Sequence, residues 1–114
     1  MLSHMQNKKI QKLESKILKL KRSVTDLGSL RPGSVSQQIA GGPNRKPRKY
    51  WQISYTYKMR SRTDYLRDNL VESIKNETLE YKKFKKIIDE IIELSIQLSK
   101  EKIEIAKKQA ASNT

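Results

Sequence analysis

Between residues 45 and 66 the chain reads RKPRKYWQISYTYKMRSRTDYL, a stretch that sets Tyr50, Trp51, Tyr55 and Tyr57 among seven lysines and arginines. Cations interleaved with aromatic rings suit one chemistry above others. The cations neutralise phosphates and release their counterions, and the rings stack on unpaired bases. Arg45, Lys46, Arg48, Lys49, Lys58, Arg60 and Arg62 are the candidate phosphate contacts, expected from a loop, a turn and a strand edge that a hairpin brings close together. Tyr50 and Tyr57 are the candidate stacking groups. Arg60 and Arg62 could also read guanine edges if a two-stranded ribbon entered a major groove. A blander reading stands beside this one, in which the aromatics are the core of a small sheet and the charges keep it soluble. For Trp51, Ile53 and Tyr55 the core reading is preferred, because so small a sheet needs its only apolar face.

The placement of charge favours a polyanion. The net charge is +13, and residues 68–114 contribute none of it, with nine basic and nine acidic side chains. Residues 1–27 carry seven basic side chains against two acids, and residues 40–67 carry eight against Asp64 alone. Solubility does not require such sorting; meeting a polyanion at one end does.

Catalytic chemistry finds little support. There is no cysteine, and the one histidine, His4, lies in the opening LSHM. The acids sit mostly at spacings usual for a solvated helix face, such as Asp89, Glu90 and Glu93. A carboxylate metal site in a helical bundle wants a partnering histidine. GGPN at residues 41–44 lacks the Gly-Lys-Ser/Thr of a phosphate-binding loop. No enzyme activity, metal or cofactor is therefore expected. No run is apolar enough to span a membrane, and the start lacks the apolar stretch of a secretory signal, so a cytoplasmic protein is expected.

The elements that must position the basic segment are legible from periodicity. Ile10, Leu13, Ile17, Leu20, Val24 and Leu27 alternate in steps of three and four, which predicts an amphipathic helix over residues 3–27. Ser3 is the expected N-cap and Gly28 the expected C-cap. The lysines on its other faces read equally as solvated or as phosphate contacts. Pro32 and Gly33 mark a turn, and SVSQQI at residues 34–39 is a candidate first strand. AGGPNRKPRK, with two glycines and two prolines, is a loop. YWQISYTY then alternates Trp51, Ile53, Tyr55 and Tyr57 against Tyr50, Gln52, Ser54 and Thr56, as a strand does. KMR is the expected turn, although it lacks the glycine a tight hairpin prefers. SRTDYL returns, with one face of the sheet packing on a helix.

From Asp68 to Lys108 the helical period resumes through Ile74, Tyr81, Phe84, Ile88, Ile91, Leu98 and Ile105, widened by Ile87, Ile92 and Leu94, with Asp68 or Asn69 as cap. The expected class is α+β, with long coiled-coil-like N- and C-terminal helices flanking a small two- or three-stranded antiparallel sheet. The segments are a basic helix (1–28), a basic loop and sheet (29–67), a long amphipathic helix (68–108) and a disordered tail (109–114). At 114 residues with 35% hydrophobic content and a mean hydropathy of −0.80, a large self-contained core is not expected. The longer helix extends roughly 60 Å and the shorter roughly 37 Å. That mismatch leaves seam uncovered, so a homodimer through Ile88, Ile91, Leu94, Leu98 and Ile105 is expected.

LRPGS at residues 30–34, the strand at Tyr50–Thr56, SRT at residues 61–63 and the Tyr81–Ser99 helix pattern together resemble an uncharacterised prokaryotic domain family found near mobile-element genes. The resemblance covers roughly residues 25–100. It implies the same order of elements: a leading helix, a Leu-Arg-Pro-Gly-Ser turn, a loop, a Tyr-Trp-Gln-Leu-Ser-Tyr-Thr-like strand and a long helix. That family carries a cysteine-bearing loop like a small metal knuckle. Here Ala40 and Arg45 stand where cysteines would be expected, so the implied metal site is lost and basic residues replace it. The family has no established activity to carry over and points only loosely to DNA-related work.

The functional expectation is a small, basic, non-enzymatic nucleic-acid-binding protein, with DNA favoured over RNA, on a helical dimerisation stem. The alternative is an interaction or assembly factor that docks through an exposed helical seam onto a larger mobile-element or phage machine.

Overall fold

The computed structural model describes residues 4–112, with side chains from residue 7 onward. Helix α1 (His4–Thr25) leads into strands β1 (Ser34–Ala40), β2 (Arg48–Tyr57) and β3 (Arg60–Leu66). A single 3-10 turn at Asp68–Leu70 then feeds the 42-residue helix α2 (Val71–Ser112). This is the α+β arrangement expected, with three strands in the order β1-β2-β3, both pairs antiparallel. Two compact units result, one from Met1–Asp26 with Lys85–Thr114 and the other from Leu27–Phe84.

In the second unit the sheet packs on the first turns of α2. Ile53 is fully buried, Leu66 and Val71 nearly so, and Val35, Trp51 and Ile74 pack around them. The register explains the choice. Ile53 pairs with Val35 on one side and Trp51 with Leu66 on the other, so alternation puts all four on one face. Gly33 enters β1 at φ +135°, where an added Cβ would lie 2.8 Å from Ile53 Cγ1 and 3.0 Å from the Ser54 carbonyl oxygen. Glycine at this turn thus lets the backbone lie against the core. The segment before it is fastened to α2. The Gly28 N–H donates to Glu80 Oε2 at 3.0 Å and the Arg31 N–H to the Glu77 carbonyl at 3.2 Å. Arg31 also pairs with Asp64 at 2.7 Å and lies over the Tyr55 ring at 4.9 Å.

In the first unit Leu13, Ile17 and Ile105 are buried, and Lys9 pairs with Glu101 at 2.7 Å. Ile88, Ile91, Leu94 and Leu98 are half-buried within the same chain. The seam assigned to a partner is thus partly covered within the chain, Leu98 lying beside Ile17 and Leu18 of α1, and buried Ile105 is not available to a second copy. The apolar residues left open lie beside that seam: Ile92, Ile96 and Ile103 are each 51% exposed.

Several boundaries differ from the sequence reading. α1 ends at Thr25, so Gly28 is no C-cap; its N–H serves Glu80 instead. The Ser3 cap lies outside the described residues. The start of α2 is a 3-10 turn with no side-chain cap. Gln109 to Ser112 continue the helix rather than belonging to a tail, in keeping with helix-favouring Lys107, Lys108, Gln109 and two alanines. Among the described residues no helix is long and apolar enough to cross a membrane.

Candidate nucleic-acid interface

The seven basic candidates do not form one cluster. The β1–β2 loop (residues 41–47) closes the sheet beside Ala40 and Arg48, whereas the β2–β3 turn lies beyond Tyr57 and Arg60. Ten residues of β2 separate these ends, roughly 30 Å of strand. Register also divides the faces. Arg60 pairs with Tyr57 and Arg62 with Tyr55, so both arginines share the Ile53 face, as Lys49 does. The expectation of a single basic face, with Arg60 and Arg62 as base readers, is therefore corrected. A hairpin joins neighbouring strands, but it does not fold a ten-residue strand's two ends together.

What the fold does assemble is the loop end. Arg45, Lys46 and Arg48, with Ala40, Gly41, Tyr50 and Tyr65, line a groove of about 460 Å³. Gly41, at φ +143°, lets the loop turn tightly, its Cβ position lying 3.3 Å from the Lys46 carbonyl oxygen. The Arg45 N–H donates to the Gly42 carbonyl at 3.1 Å. Tyr50 and Tyr65 come together across the strands, ring centroids 6.3 Å apart and tilted by 31°. Tyr65 was not among the expected site residues; its pairing with Gln52 across the ladder places it on the Tyr50 face.

Around this groove the outer face of the sheet is polar, half-buried along β1 and the middle of β2 and exposed along β3. It carries Ser36 and Gln38 from β1, Gln52, Ser54 and Thr56 from β2, and Ser61 and Thr63 from β3. No carboxylate stands on it. Asp64, the one acid between residues 27 and 67, is on the helix-side face and is held by Arg31. At the far end Lys58 lies over the Tyr57 ring, 5.4 Å from its centroid. Tyr57 is exposed, on the face opposite Tyr50. Trp51 is half-buried on the core side, its ring covered by the Lys75 ammonium at 4.9 Å.

Three cations beside two rings at the mouth of a carboxylate-free face can hold anionic and planar groups by charge, hydrogen bonding and stacking. Compared with family models, curated proteins and solved structures, the chain matches none.

Proposed function

We propose that this chain is a small, non-enzymatic nucleic-acid-binding protein, with DNA the favoured target, that holds phosphates through Arg45, Lys46 and Arg48. The observation that carries the reading is the segregation of charge on the sheet. The outer face and its loop hold cations, hydroxyls and amides without one acid, and the only nearby carboxylate is paired on the opposite face. Titrating a generic DNA duplex at two salt concentrations tests it. Each phosphate contact contributes about 0.9 to the slope of log affinity against log salt. Replacing Arg45, Lys46 and Arg48 with serine should lower that slope by about 2.7 and leave helicity unchanged. Salt-insensitive binding, or a triple variant that binds like the parent, would sink the proposal.

One observation favours a second reading, docking onto another protein or a second copy. Ile92, Ile96 and Ile103 are half-exposed at helical spacing on one face of α2. Sedimentation at micromolar concentration, alone and with candidate partners, separates the readings. Ile96→Glu abolishes association if this stripe is the contact, whereas the serine variant leaves it intact.

A further inference from the structure

Resting on the nucleic-acid reading, we infer that the outer face of the sheet enters the major groove of duplex DNA and that Gln52 reads a base edge there. The first observation is dimensional. Neighbouring strands lie about 4.8 Å apart, and a major groove about 12 Å wide admits a two-stranded ribbon such as β2 with β3. The side chains at the middle of this face are short: Ser36, Ser54 and Thr63 let the backbone approach the bases.

The second observation concerns which polar groups are already engaged. Gln38 Nε2 donates to Ser36 Oγ at 3.1 Å, Ser54 and Thr63 hydroxyls meet at 3.4 Å, and those of Thr56 and Ser61 at 3.5 Å. Tyr50 and Tyr65 pack on one another. Gln52 sits on the central strand, between Ser36 and Tyr65, and among the described residues its carboxamide bonds to no neighbour. It is the long donor-acceptor pair on this face left free for a ligand. A glutamine carboxamide matches the N6 donor and N7 acceptor of adenine in the major groove.

The third observation concerns where the cations stand. Arg48 shares the outer face with Tyr50 and Gln52, and with Arg45 and Lys46 it lines the groove at the loop end, so a duplex seated on this face meets cations with its phosphates there. At the other end Lys58 lies over the Tyr57 ring on the opposite face and takes no part. Duplex RNA offers no equivalent seat, because its major groove is too deep and narrow for side chains to read.

Selection from a randomised duplex DNA pool by the full-length chain tests the inference. The expected result is an enriched site containing an adenine that Gln52→Ala no longer prefers, with discrimination at that position falling roughly 5- to 150-fold. Affinity for an unrelated duplex at low salt should stay within about threefold. Gln52→Asn, which keeps the amide and shortens its reach, should weaken the preference in the same direction. Matched duplex RNA should bind without preference. Tighter binding to the single strand than to the duplex would overturn the major-groove placement in favour of stacking on Tyr50 and Tyr65. An unchanged selected site in Gln52→Ala would overturn the role of Gln52. Either result leaves phosphate binding standing, whereas failure to bind any nucleic acid at low salt removes that reading as well.

Discussion

The two faces of the sheet are built from alternate residues of the same strands and share almost nothing else. On the helix side of β2, Ile53 is fully buried, Trp51 half-buried, and the only acid of the strand region is held by Arg31. On the other side, Tyr50, Gln52 and Ser54 are half-buried among hydroxyls, with exposed cations at the loop. A face that is merely solvated mixes both signs of charge. This one has a single sign, and its stability comes from the layer beneath. A small sheet can present a recognition surface when the opposite face carries nearly all the packing.

The largest effect expected is on that packing, and it is asymmetric between neighbours in sequence. Ile53→Ala should cost roughly 2–5 kcal/mol, as loss of a fully buried branched side chain does. Gln52→Ala and Ser54→Ala should each cost under about 0.5 kcal/mol. Urea unfolding of the three variants measures the contrast; equal losses on both faces would break it. Next comes Gly33→Ala. A methyl group there meets both Ile53 and the Ser54 carbonyl at a φ unsuited to alanine, so the cost should be roughly 2–3 kcal/mol. Ile53→Val removes only Cδ1 and leaves the Cγ1 and carbonyl contacts, so most of the loss should persist in the double variant.

Most of this architecture was readable in the chain. Alternation in YWQISYTY assigned both faces of β2, and three-four spacing located both helices. Three-stranded pairing was within the expectation, and the core role of Ile53 followed from the smallness of the sheet. The distribution of the basic residues was not readable. Composition shows how many cations flank a strand, but register and strand length decide which end and which face each one takes. Tyr65 escaped notice for a related reason, since its neighbour Tyr50 is distant in sequence and adjacent only across the ladder. On α2, a wide apolar surface offered two adjoining stripes, and only the position of α1 shows that Ile105 is covered while Ile92, Ile96 and Ile103 are not.

A smaller effect sits at the turn that carries Lys58 away from the loop. Lys58 and Met59 both adopt left-handed backbone, with φ of 51° and 65°, in a two-residue connection that favours asparagine and glycine. Non-glycine residues pay for this conformation by roughly 1–2 kcal/mol each. Met59 is 99% exposed, so replacing it loses no packing. Met59→Gly should stabilise the chain by about 1 kcal/mol in thermal unfolding, offset in part by the flexibility glycine adds to the unfolded chain. DNA affinity should not change, since this turn takes no part in the contact. A destabilised Met59→Gly would mean that the hairpin closes by a different turn in solution.

The smallest effect belongs to Glu80, which fastens the segment before β1 to the helix under the sheet. The Gly28 N–H and then the Lys83 ammonium, 3.1 Å away, hold its carboxyl below the ordinary value of 4.5. A lowered folded-state value means that the unfolded chain binds the proton more readily. The stabilisation is therefore complete above the ordinary carboxylate range and is lost as pH falls through the lowered value. Glu80→Gln keeps an oxygen for the Gly28 N–H but cannot titrate. Its stability should fall short of the parent's at neutral pH, and the gap should close on acidification. Because the site is exposed, added salt should narrow the gap as well. A gap independent of pH would show that the carboxylate does not hold Gly28 in solution. The entry to β1 would then rest on the Arg31 contacts and on Gly33 alone.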